Sequence, residues 1–232
     1  MPLQASGTGT PTPGVTPTPT VSPYPDPLAI LQGTATAVQA LHRSHFEEIT
    51  DATGTGANTT TVHVDGKGDA TCKGPAFKAK ITGTANISGQ KSSINTQAIV
   101  IKTNAWVKDK STKNVWKKVS ASSVTNLVDN PLDCAASSSG SGTSTIQAKD
   151  PVNLGPDTVN GTSVWHIQVS LVDTSSNQTA TADYFIGQKN SLPYKEIVTL
   201  QDPTNALNET YTLLMTKFNE KLTIKKPTVG KP

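Results

Sequence analysis

The side chains with the widest chemical reach in this 232-residue chain are few and scattered. His42 and His45 lie three apart, with Glu47 and Glu48 close by, a grouping that could supply metal ligands. Their spacing straddles a change from helical to strand periodicity, which would part the two imidazoles. A cation near a helix C-terminus is also ordinary dipole chemistry, so no metal site is expected. His63 and His166 each stand alone in a strand pattern. Serine is abundant, yet there is no Gly-x-Ser-x-Gly elbow and no Ser-x-x-Lys with its partners. No Asp-x-Asp-x-Asp loop offers a calcium site. The expectation is a chain that is not an enzyme and uses no cofactor.

The two cysteines, Cys72 and Cys134, are too far apart in sequence for a CxxC motif. In an oxidising compartment two lone cysteines most simply pair, and a bridge closing so long a loop would contribute on the order of 3–4 kcal/mol. Two separate buried thiols are the alternative. The Thr-, Ser-, Asn- and Gly-rich composition with few charges points outside the cytoplasm.

Net charge is +3, but it is unevenly spread: Lys67–Lys118 holds eleven lysines and two aspartates, Asp69 and Asp109. Around Phe77–Lys80 the lysines alternate with apolar residues, which puts them on an outer sheet face. That face could draw the protein to anionic headgroups or wall polymers, or it is a solvated face whose lysines discourage edge pairing. A single arginine and no stacking aromatics among the lysines argue against nucleic acid. Trp106 and Trp116, on neighbouring strands, are expected to form a cross-strand pair.

Those groups need a scaffold, and the chain states it in two periods. Residues 1–25 carry no charge and include seven prolines and six threonines, which reads as a disordered Thr/Pro tether. Neither a basic patch nor an apolar run follows Met1-Pro2, so the expectation is a precursor that begins further upstream. A surface-anchored lipoprotein would place its lipid-bearing cysteine there. Asp26-Pro27 is a helix start, and Leu28, Leu31, Ala35, Val38 and Leu41 or His42 form one apolar stripe over about 16 residues. Beyond it the period becomes two. Strands are expected at His45–Ala52, Thr60–Thr71, Phe77–Ile87, Ile94–Lys102, Ala105–Lys108, Val115–Val119, Trp165–Leu171, Thr179–Gly187, Pro193–Gln201, Glu209–Lys217 and Lys221–Lys225. Residues 120–157 break the rhythm, with a short helix possible at Ser123–Val128 and a low-complexity loop at Ser137–Ser144. No apolar run approaches the ~20 residues that span a bilayer.

The result is an α+β fold: a large curved antiparallel sheet of about ten or eleven strands, a half-barrel wrapped around the N-terminal helix and the short middle helix. One helix ~10 Å wide cannot cover that face. An aliphatic hollow is expected, suited to an acyl chain. Candidate lining residues by phase are Leu28, Leu31, Val38, Ile81, Ile94, Val169, Ile186 and Val198. A one-residue register error would turn any of these outward.

The order of parts resembles the bacterial lipoprotein-carrier superfamily, with its LolA/LolB-like fold, and within it the LppX/LprG-type lipoprotein branch. The residues behind the resemblance are Val164-Trp165-His166-Ile167, a strand ending at Gly187, the turn Asn190-Ser191-Leu192-Pro193 into Tyr194-Lys195-Glu196-Ile197, and the ending Phe218-Asn219 with Ile224 and Pro227. It covers about residues 26–227, leaving 228–232 as a tail. The resemblance implies a half-barrel with a hydrophobic cavity for a lipid or acyl chain. It also implies a membrane-anchored or secreted monomer of the cell envelope. The alternative is a cell-surface scaffold domain with a filled core that acts through its surface.

Overall fold

The computed structural model describes residues 23–54, 59–72, 76–121, 124, 146–173, 178–202 and 206–229. Most of the expected tether, the Ser137–Ser144 loop, Cys134 and the last three residues lie outside the described residues. One helix, α1 (Pro27–Gln39), precedes eleven strands. These are β1 (Arg43–Gly54), β2 (Thr60–Thr71), β3 (Ala76–Ile87), β4 (Gln90–Ile101), β5 (Asn104–Lys108), β6 (Lys117–Val119), β7 (Ile146–Val159), β8 (Thr162–Asp173), β9 (Thr179–Gly187), β10 (Pro193–Asp202) and β11 (Leu207–Thr216).

The helix starts where Asp26 and Pro27 predict: Asp26 Oδ1 accepts the Leu28 N–H at 3.1 Å. It is shorter than its apolar stripe, 13 residues rather than about 16. The chain after β11 stops it. Asn219 Oδ1 accepts the His42 N–H at 2.8 Å, and the Asn219 N–H donates to the Arg43 carbonyl at 2.9 Å. Phe218 packs edge-on against Tyr194 at 5.0 Å. The Phe218-Asn219 ending is thus a clamp that turns the helix into β1. The Gly187 turn works similarly. Asn190 donates to the Tyr194 hydroxyl and accepts the Leu192 N–H, and a side chain at Gly187 would collide with both Asn190 and Tyr194.

All strands join in one antiparallel sheet of order β6-β5-β4-β3-β2-β1-β11-β10-β9-β8-β7, curved and unclosed. Among the described residues, two sequential meanders, β1–β6 and β7–β11, are hydrogen-bonded to each other through the β1–β11 ladder, which runs from His45↔Thr216 to Gly54↔Leu207. The core lies on the concave face, where Phe46, Phe77, Ala79, Ile81, Ala98, Leu213 and Met215 form one buried cluster. A second cluster, of Ile167, Val169 and Ile186, takes Ile30 and Leu31 from the helix.

Several expectations are corrected. Residues 146–157, read as irregular, belong to the 14-residue edge strand β7. Its signal was hidden by Pro151, Pro156, a positive φ at Asp150 and Gly155, and two register shifts; proline and bulges are tolerated at an edge. Lys221–Lys225 is not a strand. Trp106 is buried opposite Lys118, because β6 begins after Trp116, so the tryptophans are not directly opposite partners. The middle helix falls outside the described residues except Val124, which is buried in the core cluster. Cys72 packs half-buried at the end of β2, and its expected partner Cys134 is not described. The fold also begins before Asp26: Asn153 donates to the Pro25 carbonyl, and Tyr24 lies against Gly155 and Trp165.

Curvature depends on glycine where the concave face is crowded. A Cβ at Gly68 would come 2.6 Å from the Phe46 ring and collide with the Lys78 carbonyl. Gly68→Ala is therefore expected to lower stability by about 1–3 kcal/mol through overpacking. Gly33, in mid-helix with the Ser191 side chain nearby, its Oγ at 3.4 Å and its Cβ at 3.7 Å, is a contrast: Gly33→Ala should raise stability by roughly 0.5–1 kcal/mol. Opposite shifts in thermal melting temperature check the pair, and a Gly68→Ala protein as stable as the parent would refute the crowding.

Candidate functional site

The continuous register turns the concave face into rows that can be read across the strands. The Phe46 row runs Met215, Phe46, Gly68, Ala79, Ala98, Val107. Next comes the Glu48 row: Ile167, Tyr184, Glu196, Leu213, Glu48, Gly66, Ile81, Thr96. The Thr50 row is Val169, Ala182, Val198, Tyr211, Thr50, Val64, Gly83, Ile94. The Ala52 row is Leu171, Ala180, Leu200, Glu209, Ala52, Val62, Ala85, Ser92.

Burial falls along this series. The Phe46 row is buried throughout, and the Glu48 row is largely so. In the Thr50 row only Val169 and Ala182 are buried, and in the Ala52 row every residue is half-buried or exposed. Among the described residues, the helix end of the trough is thus filled by the protein's own side chains, while the other end is open. There, Leu171, Ala180, Val198, Leu200, Glu209 and Tyr211 surround a mostly apolar hollow of about 280 Å³, with Asp173 and Gln178 at its border. A smaller hollow of about 220 Å³ lies under the helix, between Thr34 and Val38 on one side and Tyr184, Pro193, Glu196, Leu213 and Met215 on the other.

Seven of the eight lining candidates share this concave side. Ile81, Val169 and Ile186 form its buried wall, and Leu31 and Val38 pack onto it from the helix. Ile94 and Val198 stand half-buried in the Thr50 row. Leu28 does not join them: it is 54% exposed, because the helix rests on the sheet through Ile30, Leu31 and Val38 instead.

Sequence reasoning missed the polar members of the trough. Glu48 is in phase with Phe46, Glu196 with Val198, and Glu209 with Tyr211, so phase alone could have found them. Glu48 is 8% exposed and accepts a 3.4 Å hydrogen bond from the Tyr211 hydroxyl. Burial pushes the Glu196 carboxyl above the ordinary carboxylate range, against the opposing hydrogen bond from Tyr184. Burial, with the Glu196 charge beside it, likewise raises the Tyr184 phenol.

The convex face holds the expected lysines and the histidines, and neither strand histidine is alone. His63 is bracketed by Asp51 at 2.6 Å and Asp65 at 3.1 Å, chiefly raising its pKa through the Asp51 hydrogen bond. His166 lies 2.7 Å from Asp183 and stacks on Phe185, over which Lys195 also sits. His45 bonds Asp69 at 3.0 Å and is parted from His42, and among the described residues no three ligating side chains gather for a metal.

Glu196 gives the trough a pH signature. Its folded pKa is raised, so folding favours the protonated form. Its penalty is absent below the unfolded carboxyl value of about 4.3 and grows as pH rises towards the folded value. Glu196→Gln should therefore raise the melting temperature near neutral pH and change it little near pH ~4. Thermal melts across that window check the sign, and a variant equally stabilised at both ends would refute it.

No protein-family model matches the chain, and no curated protein does. Among solved structures, the Mycobacterium tuberculosis lipoprotein LppX superposes with a TM-score of 0.51 at 16% identity, covering 85% of this chain and 97% of LppX. A DUF1329 family protein from Desulfovibrio piger gives 0.33 at 13%, covering 86% and 96%. A LolA superfamily protein from Nitrosomonas europaea gives 0.30 at 10%, covering 85% and 94%. The trough that α1 and the eleven strands form among the described residues shares the fold of LppX.

Proposed function

We propose that this chain binds or carries a lipid or another acylated molecule in the open end of its trough, without catalysing a reaction. The observation behind this is the burial gradient: the Thr50 and Ala52 rows offer a half-buried aliphatic wall with a hollow beside it. Flexible acyl chains suit such a surface, since they need area rather than fixed polar partners. In this reading Val198 and Ile94 contact the ligand, Ile81, Val169 and Ile186 form the wall behind it, and Leu31 and Val38 hold the helix as a fixed end-stop. The LppX-type fold supports the same reading.

The protein then works as a monomer outside the cytoplasm, at the cell envelope. The Thr/Pro-rich segment ahead of Tyr24 is its tether to a membrane surface through a lipid anchor, and a Cys72–Cys134 bridge suits that compartment. No helix of the described residues is long and apolar enough to cross a membrane. The scaffold alternative, with a filled core, describes the helix end of the trough and leaves the open end unaccounted for.

Native mass spectrometry of the full chain, before and after organic extraction and reloading with acyl lipids, tests the proposal. The expected result is a bound acyl species, lost in Val198→Arg at least about tenfold in affinity with the circular dichroism unchanged. A parent protein that retains no lipid under loading would overturn it.

A further inference from the structure

The basic side chains of the sheet separate by phase, whereas carboxylates stand on both faces, Glu47, Asp51, Asp65, Asp69 and Asp183 on the outer one. On β1–β4 and β8–β11, every Lys, Arg and His falls in the alternate phase to the concave rows, from Arg43 and His45 to Lys91, His166 and Lys195. Lys195 borders the hollow under the helix, yet its ammonium sits 5.2 Å from the Phe185 ring centroid on the other side. The helix carries no charged residue. Glu48, Glu196 and Glu209, by contrast, are all in phase with the trough, and Asp173 continues the phase of Leu171. Glu209 and Asp173 border the open hollow itself.

From this we infer that the trough selects an acylated ligand whose polar end donates hydrogen bonds and carries no negative charge. This rests on the reading of the open end as an acyl site. An apolar wall takes the chain, and Glu209 and Asp173 at the border of the hollow are the charged groups that its polar end would meet. A phosphate or carboxylate there would meet like charge in a half-buried setting, where screening is weaker than in water. A hydroxyl or ammonium would find acceptors instead, and hydrogen bonds to charged acceptors are the stronger kind. The cationic outer face cannot reverse this choice, because its side chains point away from the hollow.

Three ligands of one chain length separate the outcomes: monoolein, oleylamine and oleate, each displacing a neutral phenylnaphthylamine fluorophore from the full chain near neutral pH. Monoolein and oleylamine should both bind at least about tenfold tighter than oleate. Glu209→Lys, at a half-buried border position, should narrow or reverse that ratio, and Glu209→Gln should narrow it less. Oleate binding as tightly as the other two would overturn the head-group inference while leaving the acyl site standing. A ratio unmoved in both variants would overturn the part given to Glu209. Absence of binding by all three would overturn the acyl site itself.

Discussion

Everything in this molecule depends on the ladder between its first and last strands. Each of the two meanders pairs only with its sequence neighbours, so neither alone fixes where the other lies. The ten pairs from His45↔Thr216 to Gly54↔Leu207 merge them into one sheet. Because side chains alternate with a period of two, that ladder also decides phase: a slip of one residue would turn the whole apolar set of one meander outward. The clamp at Asn219 stands at the end of this ladder, with bonds to His42 and Arg43. Helix end, first strand and last strand are thereby set by one small polar contact. The pairing bridges nearly the full chain, and such long-range contacts form slowly.

Phase then distributes function. The concave set is aliphatic, aromatic and glycine at the helix end, where Phe46 lies over Gly68 and the sheet can curl tightly. The convex set carries paired polar groups: His63 between two aspartates, Lys67 with Glu47, His166 with Asp183. The exposed pairs of His63 and Lys67 add little stability each. Their role is to keep a broad sheet soluble on one side while the other side remains apolar.

Much of this was legible in the sequence because strands with one buried face announce it. Thr60–Thr71 and Thr179–Gly187 were found to the residue, and the Phe77–Ile87 alternation marked both the inward Ile81 and the outward Lys78 and Lys80. The LppX-type fold followed from the order of parts. What was hidden obeys other physics. Strand β7 takes prolines and shifts because an edge has fewer ladder bonds to lose. The exposure of Leu28 reflects which helix side meets the sheet, and the stripe there was wide enough to mislead. The trough carboxylates were passed over since reasoning by hydrophobic phase looks for apolar residues and discounts a Glu in the same register.

The distribution of filled and open rows is itself an argument for an occupant. The thirteen residues of α1 reach only about 20 Å, and eleven strands at ~4.8 Å spacing spread over some 50 Å, so α1 by itself can stopper the trough but cannot roof it. The helix is placed over the rows that already hold Phe46, Ile167 and Ile186, where the extra apolar area completes a core. Were compactness the only demand, the Thr50 and Ala52 rows would be built from polar residues, as in an antiparallel sheet with one wet face. They are Val198, Leu171, Leu200, Val62 and Ile94 instead. Leaving such surface to water forgoes about 25 cal/mol for each Å² of apolar area. The proposed acyl ligand would cover this wall where the helix does not reach, and the interleaved glutamates would give it an orientation as well as a place.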